Sequence, residues 1–114
     1  MSTRAWWILT TAGLVVAASA VKADGNAERG KGLYAVCATC HGERGEGVEE
    51  MNGPALVGLQ PWYLVRQLEN FKAGIRGADP QDTYGLQMAP MAKILPDTQA
   101  MEDIAAYLQS LGAP

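Results

Sequence analysis

The residues with the most distinctive chemistry are two cysteines and a histidine that stand close together, at Cys37, Cys40 and His41. They form the pattern C-x-x-C-H, which is typical of a haem attached through two thiols, with the histidine as a ligand of its iron. They are also the only two cysteines and the only histidine in the 114 residues of the chain. Because every thiol and every imidazole lies in one short segment, the pattern indicates a cofactor site.

Two other interpretations of the cysteine pair remain open. A disulfide between Cys37 and Cys40 would close a very short ring, which contributes little through loop-closure entropy. A thiol–disulfide exchange motif of the thioredoxin kind belongs with a strand–helix–strand pattern. The chain has no run of alternating β-branched residues that would predict such strands. The motif and its surroundings therefore favour haem attachment.

A haem iron bound by His41 needs a sixth ligand of another kind, because the chain has no second histidine. Methionine suits this position, since a His/Met pair of ligands raises the reduction potential of the iron. Met101 falls in the apolar stripe of a predicted helix and Met51 in a polar, glutamate-rich loop, so we expect packing or exposure for these two. Met88 and Met91, which stand three positions apart, are the candidate ligands.

Three helices are predicted to position these residues. The first spans about residues 26–40, begins at an asparagine N-cap and carries both cysteines on its apolar face. The second spans about residues 61–74, because proline suits the first turn of a helix and glycine its end. The third spans about residues 97–112, with Asp97 or Thr98 as its N-cap and an apolar stripe at helical spacing.

The connections between these helices, residues 42–60 and 74–96, are predicted to be long loops. Loops above about 12–15 residues without structure of their own are usually functional or disordered. The second loop is too apolar for a disordered linker, since it holds Tyr84, Leu86 and two methionines. Both loops are therefore expected to wrap a large apolar group that the helices alone cannot cover.

The first helix also contains two glycines, Gly30 and Gly32. Each weakens the helix interior by up to about 1 kcal/mol relative to alanine. Glycine at such a place predicts close contact with another element of the fold.

Residues 1–23 have the pattern of a signal peptide. An uncharged stretch follows Arg4 and ends before Lys22, and small residues suitable for cleavage come at its end. We expect cleavage before Asp24, which leaves residues 24–114 as a single domain outside the cytoplasm. The alternative is an uncleaved anchor, because the stretch lies at the short limit of the roughly 17–25 residues of a membrane helix. Membrane contact is expected only if this segment is retained.

The charge of the predicted domain is acidic. Loss of residues 1–23 removes two of the nine Lys and Arg residues and none of the 12 Asp and Glu residues, so a net charge of −5 remains. Nucleic acid is bound mainly by neutralising phosphates with Lys and Arg. No nucleic-acid partner is therefore expected.

Residues 24–114 resemble a class I bacterial cytochrome c in four segments. Residues 30–34, Gly-Lys-Gly-Leu-Tyr, resemble the first helix of the family, whose glycine and aromatic residue pack against the last helix. Residues 105–108, Ala-Ala-Tyr-Leu, resemble the matching part of that last helix. Residues 53–56, Gly-Pro-Ala-Leu, resemble a loop beside the axial histidine, and residues 87–92, Gln-Met-Ala-Pro-Met-Ala, resemble the loop of the axial methionine.

This resemblance implies an all-α, small cytochrome c fold, with about three main helices and long loops wrapped around one covalently bound haem c and its iron. It implies that the carbonyl of Pro54 accepts the second ring N–H of His41. It also implies that Met88, the first methionine of its loop, binds the iron in preference to Met91. The predicted cofactor-binding residues are Cys37, Cys40, His41, Pro54 and Met88, with Met91 as the alternative iron ligand.

One segment departs from the family. Residues 74–86 are longer and more polar than in its most compact members. Arg76 and Tyr84 are candidates for contact with the haem propionates, and an ordinary surface role is the competing interpretation for both. Trp62 and Tyr63 are expected to line the haem cleft or the core.

The function that these features predict is that of a periplasmic one-electron carrier, not an enzyme, which exchanges electrons with redox proteins such as a dehydrogenase or a terminal oxidase. A haem subunit of a larger membrane or periplasmic oxidoreductase complex is the alternative, because one fold serves both purposes. A five-coordinate haem enzyme or gas sensor is less favoured. The chain has no second histidine to act as a distal acid–base residue.

Overall fold

A computed structural model of the chain describes residue 13 and residues 24–112. The predicted signal peptide or anchor at residues 1–23 lies outside this part of the chain, apart from Gly13. None of the helices within residues 24–112 has both the length and the apolar character that a membrane crossing requires.

The described residues form a helical fold without named strands. Its only paired extended segment there is an isolated antiparallel bridge between Val48 and Gly53. The helices are α1 (Ala27–Tyr34), α2 (Ala38–His41), α3 (Pro61–Lys72), α4 (Thr83–Lys93) and α5 (Thr98–Ser110), with a short 3-10 helix at Glu49–Met51. The all-α prediction is therefore confirmed.

The first predicted helix is two helices in the structure. Its N-cap is as predicted, because the side chain of Asn26 accepts a hydrogen bond from the backbone N–H of Arg29 at 2.9 Å. The prediction of one helix through residues 26–40 is wrong, since α1 ends at Tyr34 and a turn separates it from α2. At this turn Cys37 N–H bonds to the carbonyl of Tyr34, three residues back, at 2.8 Å.

The second and third predicted helices are confirmed as α3 and α5. Proline stands at the first position of α3, which ends just before Gly74 with its φ of 73°. Asp97 is the N-cap of α5, and its side chain accepts from the backbone N–H of Ala100 at 2.9 Å. Both helices begin where a local capping signal stands in the sequence.

The prediction of a loop through residues 74–96 is wrong, because α4 occupies its centre. The helix begins after Asp82, whose side chain accepts from the backbone N–H of Gly85 at 2.9 Å. Gly85 and Pro90 both disfavour helix, and the proline removes one backbone donor. Tertiary packing outweighs this propensity, since the small side chains of Ala89 and Ala92 are buried with Phe71 of α3.

The core lies where α1 and α3 pack on α5. At the crossing of α1 and α5, a Cβ on Gly30 would overlap the backbone carbonyl of Asp103 and lie 2.9 Å from the Cβ of Tyr107. The rings of Tyr34 and Tyr107 meet beside it, with centroids 5.4 Å apart. The predicted close contact is therefore confirmed at Gly30, whereas a Cβ on Gly32 would meet nothing within 4 Å.

A buried charge also ties α1 to α5. Asp103 is only 3% exposed, and its carboxylate accepts from Nε of Arg29 at 2.8 Å and from the backbone N–H of Asn26 at 2.7 Å. Mainly through the Arg29 hydrogen bond, and against the effect of burial, the pKa of Asp103 falls from 3.8 to about 2. The ionised carboxylate is therefore the form that the folded state stabilises.

We expect Asp103→Asn to lower the free energy of unfolding by about 1–3 kcal/mol at pH 7, because it removes a charged acceptor from four partly buried hydrogen bonds, donated by Asn26, Arg29 and Gln99. A lowered pKa contributes stability above its unfolded value and loses it on acidification. The difference from wild type should therefore shrink between about pH 4 and pH 2, as Asp103 becomes protonated. Guanidinium unfolding of the haem-loaded protein across this pH range measures it.

The matched control is Glu102→Gln, which removes one negative charge from the neighbouring position of α5. We expect it to change the free energy of unfolding by less than about 0.5 kcal/mol, because the partly buried Glu102 side chain makes no hydrogen bond or ion pair among the described residues. A difference between wild type and Asp103→Asn that persists unchanged at pH 2 would contradict the role of the ionised carboxylate.

Candidate cofactor site

The two cysteines of the C-x-x-C-H motif lie on a single turn that leads into α2. The backbone carbonyl of Cys37 accepts from the N–H groups of Cys40 at 3.2 Å and of His41 at 2.9 Å. Both cysteines are free and partly buried. The thiols are thus present on one turn, as attachment of a single ring at two points requires.

The chemistry of the thiols does not fit an exchange motif. Burial, followed by the nearby Cys40, raises the pKa of Cys37. A disulfide-exchange motif needs instead a thiol of lowered pKa, which forms the reactive thiolate near neutral pH. It also needs the strand–helix–strand setting that is not found among residues 24–112.

His41 is buried and its ring is held in one orientation. Only 7% of the residue is exposed, and Nδ1 lies 2.7 Å from the carbonyl oxygen of Pro54. Because a carbonyl oxygen can only accept, Nδ1 carries the hydrogen, and in the neutral ring the lone pair is therefore on Nε2. A hydrogen bond of this kind fixes the ring and makes the other nitrogen a better metal ligand.

The loop that presents Pro54 is fastened to the attachment segment. Gly47 N–H donates to the carbonyl of His41 at 2.7 Å. The loop then closes through two hydrogen bonds between Val48 and Gly53, at 2.9 and 3.1 Å. Gly53 packs so closely that a Cβ there would overlap the carbonyl oxygen of Cys40. The predicted loop 42–60 is therefore ordered by its contacts with the C-x-x-C-H segment.

Met88 lies on α4, in a second apolar cluster. It is partly buried and packs with Phe71, Ala89 and Ala92. Met91 is 38% exposed and stands three positions further along the same helix, so the two methionines share a face. The greater burial of Met88 favours it as the iron ligand, and the choice between the two stays a prediction.

The other two methionines have the surroundings that the sequence predicts. Met101 is 1% exposed, in the core of α5, and Met51 is 46% exposed, in the short 3-10 helix. Packing for Met101 and exposure for Met51 are therefore as predicted.

The predicted propionate and cleft residues lie on or next to α3 and α4. The guanidinium of Arg76 lies 4.5 Å from the ring centroid of Phe71, which belongs to the cluster that Met88 packs against. Tyr84 is 58% exposed and belongs to no apolar cluster among the described residues. Trp62 is 54% and Tyr63 38% exposed, so neither is a core residue. Contact of any of the four with the haem remains a prediction.

The donor set fits a haem better than a bare metal ion. Within residues 24–112 no group of three or more His, Cys, Asp and Glu side chains could hold a metal. What the site offers is two free thiols and one imidazole nitrogen, His41 Nε2, on five consecutive residues. These are the groups that attach a haem covalently and bind its iron on one side.

One hydrogen bond of the site was missed from the sequence. The hydroxyl of Tyr34 donates to the carbonyl of Gly42 at 2.7 Å, in the interior of the protein. The resemblance gave Tyr34 only as an aromatic residue that packs on the last helix. No local pattern indicates that its hydroxyl reaches the residue directly after His41.

Comparisons with known proteins agree with this geometry. A profile of the family named Cytochrome c matches residues 27–112. Cytochrome c4 from Stutzerimonas stutzeri is 42% identical over 90 residues, which cover 77% of this chain and 42% of that protein. The thiosulfate dehydrogenase electron acceptor of Stutzerimonas stutzeri (strain A1501) is 32% identical over 113 residues, which cover 96% of this chain and 49% of that protein.

The fold has a solved counterpart as well. The crystal structure of reduced recombinant cytochrome c4 from Pseudomonas stutzeri is similar with a TM-score of 0.62 and 39% identity, over 79% of this chain and 47% of that chain. The chain thus spans about half the length of the curated relatives it matches.

Proposed function

The chain belongs to the cytochrome c family, whose members carry a covalently bound haem c with its iron, and on that premise we propose that it is a one-electron carrier. The observation that carries the proposal is the 2.7 Å contact between Nδ1 of His41 and the carbonyl of Pro54. It fixes the ring orientation and, in the neutral ring, leaves Nε2 as the nitrogen that can bind iron. When bound, the haem supplies a reversible one-electron couple at its iron.

Each site residue has a distinct role in this proposal. Cys37 and Cys40 attach the cofactor, so that it does not dissociate. His41 binds the iron through Nε2, and the hydrogen bond from Nδ1 to Pro54 adjusts the basicity of that nitrogen. Met88 supplies a neutral sulfur ligand from α4, which favours the reduced state and raises the reduction potential.

We assign residues 1–23 to a signal peptide and residues 24–114 to the cytochrome c domain, which places the protein in the periplasm. The support is the uncharged stretch between Arg4 and Lys22 and the small residues at its end. An uncleaved anchor at the same place is the alternative. N-terminal sequencing of the haem-loaded protein from a periplasmic fraction separates them, since cleavage predicts a first residue at Asp24.

The partners in this proposal are redox proteins that donate and accept an electron. One relative is described as an electron acceptor of thiosulfate dehydrogenase, and its similarity extends over 96% of this chain. This favours a dehydrogenase as the class of electron donor. A terminal oxidase as the acceptor is proposed from the family resemblance alone. A haem subunit of a larger complex is the second candidate, because one fold serves both purposes.

Potentiometric titration of the haem-loaded protein, with and without carbon monoxide, tests the proposal. We expect a single one-electron transition, and no binding of carbon monoxide to the reduced protein at neutral pH, because both axial positions are filled by His41 and Met88. The positive control is Met88→Ala, in which one position is opened and carbon monoxide should bind. Rapid binding to the wild-type protein would favour a five-coordinate enzyme or gas sensor instead.

A further inference from the structure

Tyr34 contacts both ends of the haem-binding motif. Its backbone carbonyl accepts from the N–H of Cys37, the first residue of the motif, at 2.8 Å. Its hydroxyl donates to the carbonyl of Gly42, the first residue after His41, at 2.7 Å. The side chain is almost completely buried, with 2% of the residue exposed.

We infer that Tyr34 is a positioning residue for His41: its hydroxyl holds the backbone after the histidine, and thereby keeps the histidine ring on the carbonyl of Pro54. The inference rests on the proposed function, because it takes His41 as the iron ligand. Among the described residues, the hydroxyl of Tyr34 forms no hydrogen bond with the ring of His41 or with any other predicted iron ligand.

The Tyr34 hydroxyl makes the shorter of the two hydrogen bonds at the buried carbonyl of Gly42. The φ of 86° and ψ of 155° at Gly42 form a combination that residues other than glycine rarely adopt. Apart from the Tyr34 hydroxyl, the buried carbonyl of Gly42 is approached by the N–H of Gly45 at 3.2 Å, a longer bond. Burial raises the pKa of the Tyr34 phenol, so the hydroxyl stays protonated and continues to donate.

A change at Gly42 is transmitted to the ring of His41 through one peptide unit. The carbonyl of His41 is part of that unit and accepts from the N–H of Gly47 at 2.7 Å. Rotation of the unit would displace the histidine relative to the loop that carries Pro54. The Nδ1 hydrogen bond is already short, at 2.7 Å, so displacement can only weaken it.

The expected consequence is a higher reduction potential. A weaker hydrogen bond at Nδ1 makes Nε2 less basic, and a less basic ligand stabilises the oxidised iron less. Direct partners of metal-binding histidines change metal affinity about 10–100-fold when they are lost. Because Tyr34 acts one residue further away, we expect a shift of about three- to tenfold in the ratio of oxidised to reduced protein, which is about 30–60 mV at 59 mV per tenfold for one electron.

Tyr34→Phe removes the hydroxyl and keeps the ring that packs on Tyr107. The matched control is Tyr107→Phe, which removes a hydroxyl from the other ring of the same pair, at centroids 5.4 Å apart. Among the described residues that hydroxyl makes no hydrogen bond to the motif. The haem-loaded, full-length proteins are compared by potentiometric titration, and by NMR exchange of the His41 Nδ1 proton with water in the reduced state.

The inference holds if Tyr34→Phe raises the potential by the stated amount and speeds exchange of the Nδ1 proton, while Tyr107→Phe changes neither. It is overturned if Tyr34→Phe leaves both unchanged, if the two variants shift equally, or if Tyr34→Phe fails to fold, since the hydroxyl is then a general structural requirement. A wild-type spectrum without a histidine ligand to the iron would overturn the proposed function itself, which separates the two failures.

Discussion

Replacement of Met88 by alanine is expected to abolish the long-wavelength sulfur-to-iron absorption band of the oxidised protein and to lower the reduction potential by on the order of 0.1–0.3 V. The thioether is a soft, neutral ligand that stabilises the reduced iron, and axial ligands set haem potentials over a range of about 0.8 V. Met88 is the partly buried methionine of α4 and packs against the cluster that contains Phe71, which makes it the less exposed of the two candidate ligands. Absorption spectra and potentiometric titration of the haem-loaded protein measure both effects.

The matched control is Met91→Ala, three positions along the same helix, where the side chain is 38% exposed. We expect it to keep the band and to shift the potential by less than a tenth as much. Loss of the band in Met91→Ala and its retention in Met88→Ala would instead identify Met91 as the ligand. If oxidised wild type shows no such band, the His/Met site and the carrier mechanism built on it are both wrong.

Local signals in the sequence account for much of the fold. The N-caps at Asn26 and Asp97, and the proline at the start of α3, each involve residues no more than three positions apart. Such contacts depend only on residues that are neighbours in the sequence, and so the helix starts can be predicted from the sequence alone. The same is true of the C-x-x-C-H motif, whose two cysteines lie on one helical turn.

The errors in the fold have a common cause, which is contact with residues more than one helical turn away in the sequence. Helix α4 forms despite Gly85 and Pro90 because Ala89 and Ala92 are buried against Phe71 of α3. The first predicted helix breaks at the turn after Tyr34, beside the contact that Tyr34 makes with Gly42. Helix propensity alone predicts the opposite at both places, since it does not include the partner element.

The contacts of the candidate site likewise divide into those that the sequence indicates locally and those that depend on the whole fold. The pairing of His41 with Pro54 spans 13 positions, and only the resemblance to a family predicted it. The carboxylate of Asp103 and the side chain of Arg29 are 74 positions apart, and nothing near either residue in the sequence indicates the ion pair. Contacts of this range follow from the way α1 crosses α5, which is a property of the whole fold.

That crossing is tested by two alanine substitutions on α1, which are expected to change the free energy of unfolding in opposite directions. Gly30→Ala should lower the free energy of unfolding by about 2–4 kcal/mol, because the added methyl group overlaps the backbone carbonyl of Asp103, which cannot rotate away. Gly32→Ala should raise it by about 0.5–1 kcal/mol, because nothing lies within 4 Å of the new Cβ and alanine favours helix. Guanidinium unfolding of the two haem-loaded variants measures the difference.

The two substitutions separate the effect of backbone contact on stability from that of helix propensity, since both replace a glycine of α1 by alanine, the better helix former. Equal stabilisation by the two substitutions would show that α1 and α5 do not touch at Gly30. Destabilisation by Gly30→Ala alone has a further consequence, because α1 ends at Tyr34, whose hydroxyl donates to Gly42, and a displacement of α1 is expected to disturb this hydrogen bond. A variant that moves α1 outward should therefore also raise the reduction potential, in the same direction as Tyr34→Phe.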